Sequence, residues 1–218
     1  MGMIDNYDIF IFDWDGTITK IRLLNKLNER INPFWKIKKE ESKKKFEDLD
    51  KKKEFRISKK DLESIEKFEV DEEKRYRILI DLIVFFAMPK PQDQIVKILK
   101  LLKKENKKIV VFSNGGRWRI VREAKKLNVS HYFDMIVSAQ DSMLLKPNPY
   151  CINVILKKFK LKKKKAVYVG DMIDDVLASK FAEIDSCVIS SGLDDYSLLK
   201  AEKPKYLFRN MEEFYKNL

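Results

Sequence analysis

Two carboxylates, separated by a single residue, follow the first strongly apolar run of the chain. The run Ile9–Phe12 leads directly into Asp13-Trp14-Asp15-Gly16. Gly16 allows the chain to turn at once, so that both carboxylates can face the same crevice and act on one substrate. Aspartate is also a common turn residue, and the pair alone fits an ordinary strand-to-loop turn.

A second group of acids follows a later apolar run. Gly170 is followed by Asp171, and then by Asp174 and Asp175. Carboxylates gathered at one strand end repel each other, and they are stabilised most readily around a divalent cation. Because all of these ligands are hard oxygens, the pattern favours Mg²⁺ over zinc. Capping of a helix by a single Asp explains one of these acids but not the group.

Two further segments carry groups suited to an oxyanion such as phosphate. Ser113 and Asn114 end an apolar run and precede two glycines, where a hydroxyl, an amide and free backbone N–H groups can surround an anion. The same residues also form ordinary turns. Lys146 lies between an apolar pair and the prolines Pro147 and Pro149, which restrict its loop and hold its backbone in place.

The elements that must position these residues alternate along the chain. Short apolar, β-branched runs predict buried strands at 9–12, 109–112, 135–137, 166–169 and 187–189. Amphipathic stretches of helical length lie between them at 94–104, 119–127 and 150–159. This alternation predicts an α/β fold with a doubly wound parallel sheet, and such sheets place their sites at the carboxyl ends of the strands.

The alternation is interrupted between the first and second strands. Residues 20–87 are charged and helical in pattern, and Pro89 and Pro91 mark the return to the main domain. We therefore predict a catalytic core formed by 1–19 and 88–218, with a small helical domain at 20–87 inserted in a loop.

Composition excludes several classes of protein. The 218 residues include 46 Lys or Arg and 34 Asp or Glu, a net charge of +12, and 44% are hydrophobic, which argues against wholesale disorder. Two cysteines, Cys151 and Cys187, are too few for a disulfide scaffold or a four-cysteine zinc site. We find no membrane-spanning run and no signal peptide, and we predict a cytoplasmic protein.

The positive charge leaves a nucleic-acid-binding protein as an alternative. Most of the cations are Lys rather than Arg, the residue that usually grips phosphates and base edges, and they are spread along the sequence rather than gathered at one motif. We therefore do not expect nucleic acid or a membrane as a partner. No sequence feature favours a particular oligomeric state.

The four segments together resemble the motifs of the haloacid dehalogenase (HAD) superfamily of phosphohydrolases. Residues 12–17 resemble the first motif, 113–114 the second, 146–147 the third and 170–175 the fourth, in the same order. The insert matches the helical cap of phosphoglycolate phosphatase-like members, although 18–21 differ from the usual entry into that cap. The resemblance implies a Rossmann-like core with a helical cap and Mg²⁺-dependent hydrolysis of a small phosphorylated metabolite, such as a phosphoglycolate-like ester or a sugar phosphate.

The resemblance also implies roles for the acids. Asp13 would be the nucleophile that forms an aspartyl-phosphate, and Asp15 the general acid and base. Mg²⁺ would be held by Asp13, by the main-chain carbonyl of Asp15 and by Asp171. Asp175 would act behind the metal or orient the motif lysine, and Asp174 would have a supporting role at most.

The remaining motif residues would bind the phosphoryl group. The resemblance implies that Lys146 steadies both the nucleophile and the transferring oxygens, while Ser113 and the Asn114 backbone hold the phosphate. An acid at position 15 favours a phosphatase or a phosphomutase within the superfamily. A sugar-phosphate mutase therefore stays open as an alternative.

Five other residues are given lesser roles. His131, the single histidine, is predicted to pack or lie on the surface, remote from the strand ends. Arg117 is a candidate substrate contact or a solvated helix start. Trp14 is expected to point away from the metal, into the domain interface or the hinge of the insert. Phe34 and Trp35 are expected in the core of the helical insert.

Overall fold

A computed structural model describes residues 2–20, 89–138 and 144–218. The predicted insert at 20–87 lies outside the described residues, apart from Lys20. The predictions for Phe34 and Trp35 also concern residues outside the described parts.

Six strands and seven helices make up the described parts of the chain. The strands are β1 (Ile9–Phe12), β2 (Lys108–Ser113), β3 (Met135–Ser138), β4 (Ala166–Gly170), β5 (Asp185–Ile189) and β6 (Tyr206–Phe208). The helices are α1 (Met3–Asn6), α2 (Ile95–Lys104), α3 (Arg117–Lys126), α4 (Tyr150–Phe159), α5 (Ile173–Ala182), α6 (Tyr196–Ala201) and α7 (Met211–Asn217). Short 3₁₀ helices lie at Ser130–Tyr132 and Lys163–Lys165.

The six strands form one parallel sheet in the order β3-β2-β1-β4-β5-β6. This confirms the predicted doubly wound parallel sheet. From β1 the chain builds outward through β2 and β3, and it then crosses to the other side of β1 to form β4. The order of the strands reverses between β1 and β4, and a crevice at such a reversal is where open α/β sheets bind ligands.

Helices cover both faces of the sheet. The apolar residues Ile95, Ile98, Leu99 and Leu102 of α2 recur at helical spacing and pack in the same core cluster as Phe10 and Phe12 of β1. On the other face, Ile9 and Ile11 of β1 pack with Cys151, Ile152 and Ile155 of α4. Because both faces of β1 are covered, all four of its residues are buried, which explains its continuous apolar run.

The strand β6 was not among the predicted strands. It has three residues, of which only Phe208 is buried, and it pairs with β5 at the edge of the sheet. A run this short gives no periodicity that distinguishes a strand from a loop.

The chain leaves and re-enters the core at two adjacent segments. The backbone N–H of Lys20 donates to Lys90 O at 2.8 Å, and that of Gln92 donates to Ile18 O at 2.9 Å. Thr19 and Pro91 form an antiparallel bridge between the same two segments. The described helices include none with the length and apolar character needed to cross a bilayer.

Candidate active site

The end of β1 holds Asp13 at the crevice. The backbone N–H of Asp13 donates to Val169 O at 2.9 Å, which continues the pairing with β4 by one residue and fixes where the carboxylate points. The chain then turns at Gly16, whose φ of 88° is easily reached by glycine. A Cβ at this position would also collide with the Asp171 carboxylate. The turn predicted at Gly16 is therefore present, and it brings the first and fourth motifs together.

The Lys146 ammonium lies at the centre of the site and is 2% exposed. It forms an ion pair with Asp13 Oδ1 at 2.8 Å, and it donates hydrogen bonds to Asp175 Oδ1 at 2.7 Å and to the Tyr168 hydroxyl at 3.1 Å. A lysine ammonium has three N–H donors, and here three acceptors surround it. Tyr168 in turn donates to Phe112 O at 2.6 Å, which links the lysine to the backbone of β2.

Burial and charge shift the pKa values of this group in a consistent way. Burial raises the pKa of Asp13 to about 6, an effect opposed by the Lys146 charge and reinforced by the charges of Asp175 and Asp15. Burial by itself would lower the pKa of Lys146, but the charges of Asp13 and Asp175 raise it well above its usual value. Lys146 is therefore a permanent cation at neutral pH.

The fourth motif places two fully buried carboxylates next to Asp13. Asp171 accepts hydrogen bonds from the Thr17 hydroxyl at 2.9 Å and from the Leu193 N–H at 2.7 Å. Asp175 lies in the first turn of α5, and its Oδ2 accepts from the N–H groups of Asp171 and Met172, both at 3.0 Å. Because the other oxygen of Asp175 faces Lys146, this carboxylate orients the lysine and closes the loop before α5.

These acids fit a divalent cation. Asp13, Asp171 and Asp175 each offer a carboxylate oxygen, and these oxygens lie within 4.8 Å of one another. Within the described residues, three buried carboxylates share one buried ammonium, so their charge is not balanced there. Burial, together with the charges of Asp13 and Asp175, accordingly raises the pKa of Asp171 well above its usual value. A hard dication would balance this charge with the oxygen ligands it prefers.

The second motif contributes to the site in two ways. Ser113 ends β2, is buried, and accepts a hydrogen bond from the Gly115 N–H at 3.2 Å. The side chain of Asn114 accepts from the Lys146 backbone N–H at 2.8 Å and therefore holds the loop that carries the lysine. The Ser138 hydroxyl at the end of β3 donates to Gly115 O at 2.7 Å, which fixes the turn after Ser113.

The sequence and the fold agree on one family. Residues 10–189 match the family model described as haloacid dehalogenase-like hydrolase. The chain belongs to this family. The matched residues include all four motifs and the strands on both sides of the point between β1 and β4 where the strand order reverses. The structure brings the motif residues Asp13, Ser113, Lys146 and Asp171 together at the carboxyl ends of the strands.

Relatives of this haloacid dehalogenase-like hydrolase include proteins named as phosphatases. The provisionally named pyrophosphatase PpaX of Caldanaerobacter subterraneus subsp. tengcongensis is 29% identical over 127 residues, 58% of each chain. The pyrophosphatase PpaX of Halalkalibacterium halodurans is 24% identical over 123 residues. The chain thus matches a little over half the length of these curated relatives. The crystal structure of a predicted phosphoglycolate phosphatase from Haemophilus somnus has the same fold, with 18% identity, 97% coverage of both chains and a TM-score of 0.66.

Arg119 is a site residue of this hydrolase that the sequence interpretation missed. Its guanidinium pairs with both oxygens of the Asp15 carboxylate, from Nη2 to Oδ2 and from Nη1 to Oδ1, the latter at 3.0 Å. The same guanidinium donates to Glu123, one helical turn further along α3. The i,i+4 spacing of Arg119 and Glu123 directly after the second motif was the available signal. Arg117, the residue considered as a substrate contact, begins α3 and lies two positions before Arg119.

Trp14 points away from the acids, as expected, and it is fully buried in the main core cluster. Its expected place at the interface or hinge of the insert concerns residues 20–87, of which only Lys20 is described. Its indole N–H donates to Glu123 Oε2 at 2.7 Å. A buried indole needs an acceptor for its N–H, and Glu123 on α3 provides one.

Two other candidates lie apart from the acid cluster. Asp174 is in the first turn of α5 but is not one of the carboxylates within 4.8 Å of each other. His131 is exposed in the 3₁₀ helix before β3, beside Tyr132. It therefore lies where the strands begin, remote from the strand ends that carry the acids, as predicted.

Proposed function

We propose that this hydrolase is a Mg²⁺-dependent phosphatase that cleaves a small phosphorylated metabolite through an aspartyl-phosphate intermediate. The observation that carries the proposal is the pairing of buried Asp13 with Lys146 inside a cluster that also contains Asp171 and Asp175. A nucleophilic carboxylate needs a nearby cation so that an anionic ester can approach it, and this cluster supplies one lysine and a fitting dication site.

Asp13 and Asp15 divide the chemistry between them. An Asp13 oxygen attacks phosphorus, the bond from phosphorus to the leaving oxygen breaks, and Asp15 gives that oxygen a proton. In the second half, Asp15 takes a proton from a water molecule whose oxygen attacks the same phosphorus. The acyl phosphate bond breaks, inorganic phosphate leaves, and Asp13 returns as a carboxylate.

The neighbouring groups bind and orient. Lys146 holds the attacking carboxylate and faces the transferring oxygens, while Ser113 and the backbone of Asn114 bind the phosphoryl group. Asp13, the Asp15 main-chain carbonyl and Asp171 would hold Mg²⁺, with Asp175 behind them. The cation would neutralise charge on the phosphoryl oxygens as the nucleophile approaches.

The names of the relatives suggest which esters to test. Pyrophosphatase and phosphoglycolate phosphatase both act on small, highly anionic phosphates, and a sugar phosphate belongs to the same class. We also propose that residues 20–87 form a helical cap that contributes to substrate choice. The hydrogen bonds that join the segments around Lys20 and Lys90 support an insertion that enters and leaves the core at one place.

Asp13→Asn is the direct test of this proposal. We expect Mg²⁺-dependent hydrolysis of 4-nitrophenyl phosphate to fall by at least about 10³-fold, because an amide cannot form the acyl phosphate. The melting temperature should not fall, since the substitution removes a buried charge that is poorly compensated.

The matched control is Glu183→Gln, a similar acid-to-amide change at a side chain that is 75% exposed and lies beyond α5. This variant should keep the wild-type rate. Unchanged turnover in Asp13→Asn would contradict the proposed mechanism. Independently of that variant, a phosphate-release screen of the wild-type protein across phosphorylated metabolites would identify the substrate class.

A further inference from the structure

Asp15 is held by a chain of buried and half-buried side chains that is separate from the acid cluster of Asp13, Asp171 and Asp175. Arg119 binds both oxygens of its carboxylate, and Glu123 binds the same guanidinium from behind, at 3.1 Å from Nη1 to Oε2. Trp14, which separates the two catalytic acids in sequence, donates to that same Glu123 oxygen at 2.7 Å. The chain Trp14–Glu123–Arg119–Asp15 therefore starts and ends in the first motif and runs through α3.

Burial increases along this chain toward its base. The side chains of Asp15 and Arg119 are 27% and 23% exposed at the crevice, whereas those of Glu123 and Trp14 are fully buried. A buried carboxylate next to a guanidinium restricts the guanidinium far more than a solvated partner would. The buried Glu123 carboxylate thus fixes the Arg119 guanidinium, and the guanidinium can in turn fix the Asp15 carboxylate at the crevice.

The ion pair between Arg119 and Asp15 lies within the candidate site rather than at its periphery. A Cβ added to Gly115, in the turn after Ser113, would overlap the guanidinium and lie 3.4 Å from Asp15 Oδ2. The Arg119–Asp15 pair therefore packs against the backbone of the turn proposed to bind phosphate. A general acid must be held within reach of the leaving oxygen, and this turn fixes where that oxygen's phosphorus sits.

We propose that Arg119 is a positioning residue for Asp15, which it holds beside the phosphate-binding turn in the orientation needed to protonate the leaving oxygen. The inference rests on the proposed phosphatase function. The planar guanidinium binds both carboxylate oxygens at once, so it fixes the direction of the carboxylate as well as its place. Each oxygen keeps a second lone pair, which can carry the proton that Asp15 gives to the leaving oxygen. Glu123 and Trp14 act through Arg119 rather than on the substrate.

Two aryl phosphates of similar shape separate this role from a structural one. 4-Nitrophenolate leaves readily without a proton, whereas phenolate depends strongly on protonation by a general acid. We expect Arg119→Gln to lower kcat for phenyl phosphate about tenfold more than kcat for 4-nitrophenyl phosphate. Arg119→Lys, which keeps the charge but loses two-point binding, should give the same asymmetry to a smaller extent.

The Asp15→Asn background provides the matched control. If Arg119 acts through Asp15, then Arg119→Gln should cost little more once Asp15→Asn has removed the acid, so the two effects should not add. Glu123→Gln, which weakens the support behind the guanidinium, should resemble Arg119→Lys. Melting temperatures of all variants show whether the fold is retained.

Three results would overturn the inference while leaving the proposed phosphatase intact. They are an equal loss of kcat on both esters, a rise in KM with unchanged kcat, and full additivity with Asp15→Asn. The second of these would identify Arg119 as a substrate ligand instead. Absence of hydrolysis of both esters by wild type with Mg²⁺ would overturn the proposed function itself, and the positioning role with it.

Discussion

The carboxyl edge of the sheet, where the strands end, and the amino edge, where the strands begin, differ in the sign and the burial of their charges. At the carboxyl edge, Asp13, Asp171 and Asp175 are buried around a single ammonium. At the amino edge the charged groups are mainly lysines at helix ends and in the connections to the next strand. They are Lys103, Lys104, Lys107, Lys108, Lys125, Lys126, Lys157, Lys158, Lys160, Lys162, Lys163, Lys164, Lys165, Lys180, Lys200, Lys203 and Lys205.

One physical cause explains part of both distributions. Every helix between parallel strands begins at the carboxyl edge and ends at the amino edge, so the helix dipoles favour anions at the first and cations at the second. Lysines that are spread along the sequence are consequently gathered in space. The dipole explains where the lysines lie, but it does not explain why carboxylates are buried at the other edge, which a bound cation would.

Stability as a function of pH should separate the two edges most strongly. The folded pKa of Asp13 is raised from 3.8 to about 6 by burial, so the folded state binds a proton more tightly than the unfolded chain does. Stability from this group is present below about pH 4 and is lost as the pH rises through 6. In metal-free protein we expect a loss of about 2 kcal/mol between pH 4 and pH 7 from Asp13, with Asp171 acting in the same direction.

Thermal unfolding in chelator and in Mg²⁺ checks this expectation. Mg²⁺ should raise the melting temperature more at pH 8 than at pH 5, because it replaces protons on the same carboxylates. Asp13→Asn should flatten the pH dependence in chelator, whereas Glu183→Gln should leave it unchanged. Equal stabilisation by Mg²⁺ at both pH values would contradict a cation site formed by these acids.

Tyr168 tests whether the buried lysine is oriented by more than charge. Tyr168→Phe removes the third acceptor of Lys146 and the donor to Phe112 O, while both carboxylates remain. We expect kcat for 4-nitrophenyl phosphate to fall about tenfold, as for groups that orient a site residue. The free energy of unfolding should fall by about 1–2 kcal/mol because a buried carbonyl loses its partner.

Tyr7→Phe is the matched control at the other edge. Tyr7 is also buried, and its hydroxyl donates to Asp185 at 2.6 Å just before β1 begins. It should lose a comparable amount of stability while keeping the wild-type kcat. If both variants lose activity in proportion to stability, then Tyr168 has no orienting role.

Most of what positions the site follows from the sequence because it depends on local patterns. Buried parallel strands have continuous apolar runs, and their carboxyl ends meet at one edge, which is why Asp13, Ser113 and Asp171 could be grouped without coordinates. Helix α4 was predicted with the observed bounds, since its apolar residues recur at helical spacing and prolines precede it.

The residues that sequence reasoning missed act across long separations. Tyr168 looks like one more apolar residue of β4, and its role depends on Phe112 and Lys146 from other strands and loops. The partnership of Arg119 with Asp15 spans 104 positions. A pattern of spacing along one helix or strand contains no information about which distant carboxylate a guanidinium will meet.

The smallest expected effect concerns the lysines of the amino edge. The edges are separated by the five residues of β4, about 16 Å at 3.3 Å per residue, which is roughly twice the screening length at physiological salt. Replacing Lys162 and Lys164 with Gln should therefore change kcat/KM by less than about twofold and leave the melting temperature nearly unchanged. Fluorescence anisotropy with a labelled oligonucleotide, measured over a range of salt concentrations, should detect no binding at physiological salt. If the protein instead shows salt-dependent binding, and this double variant weakens that binding while turnover stays intact, the amino edge is a nucleic-acid surface independent of the carboxyl edge.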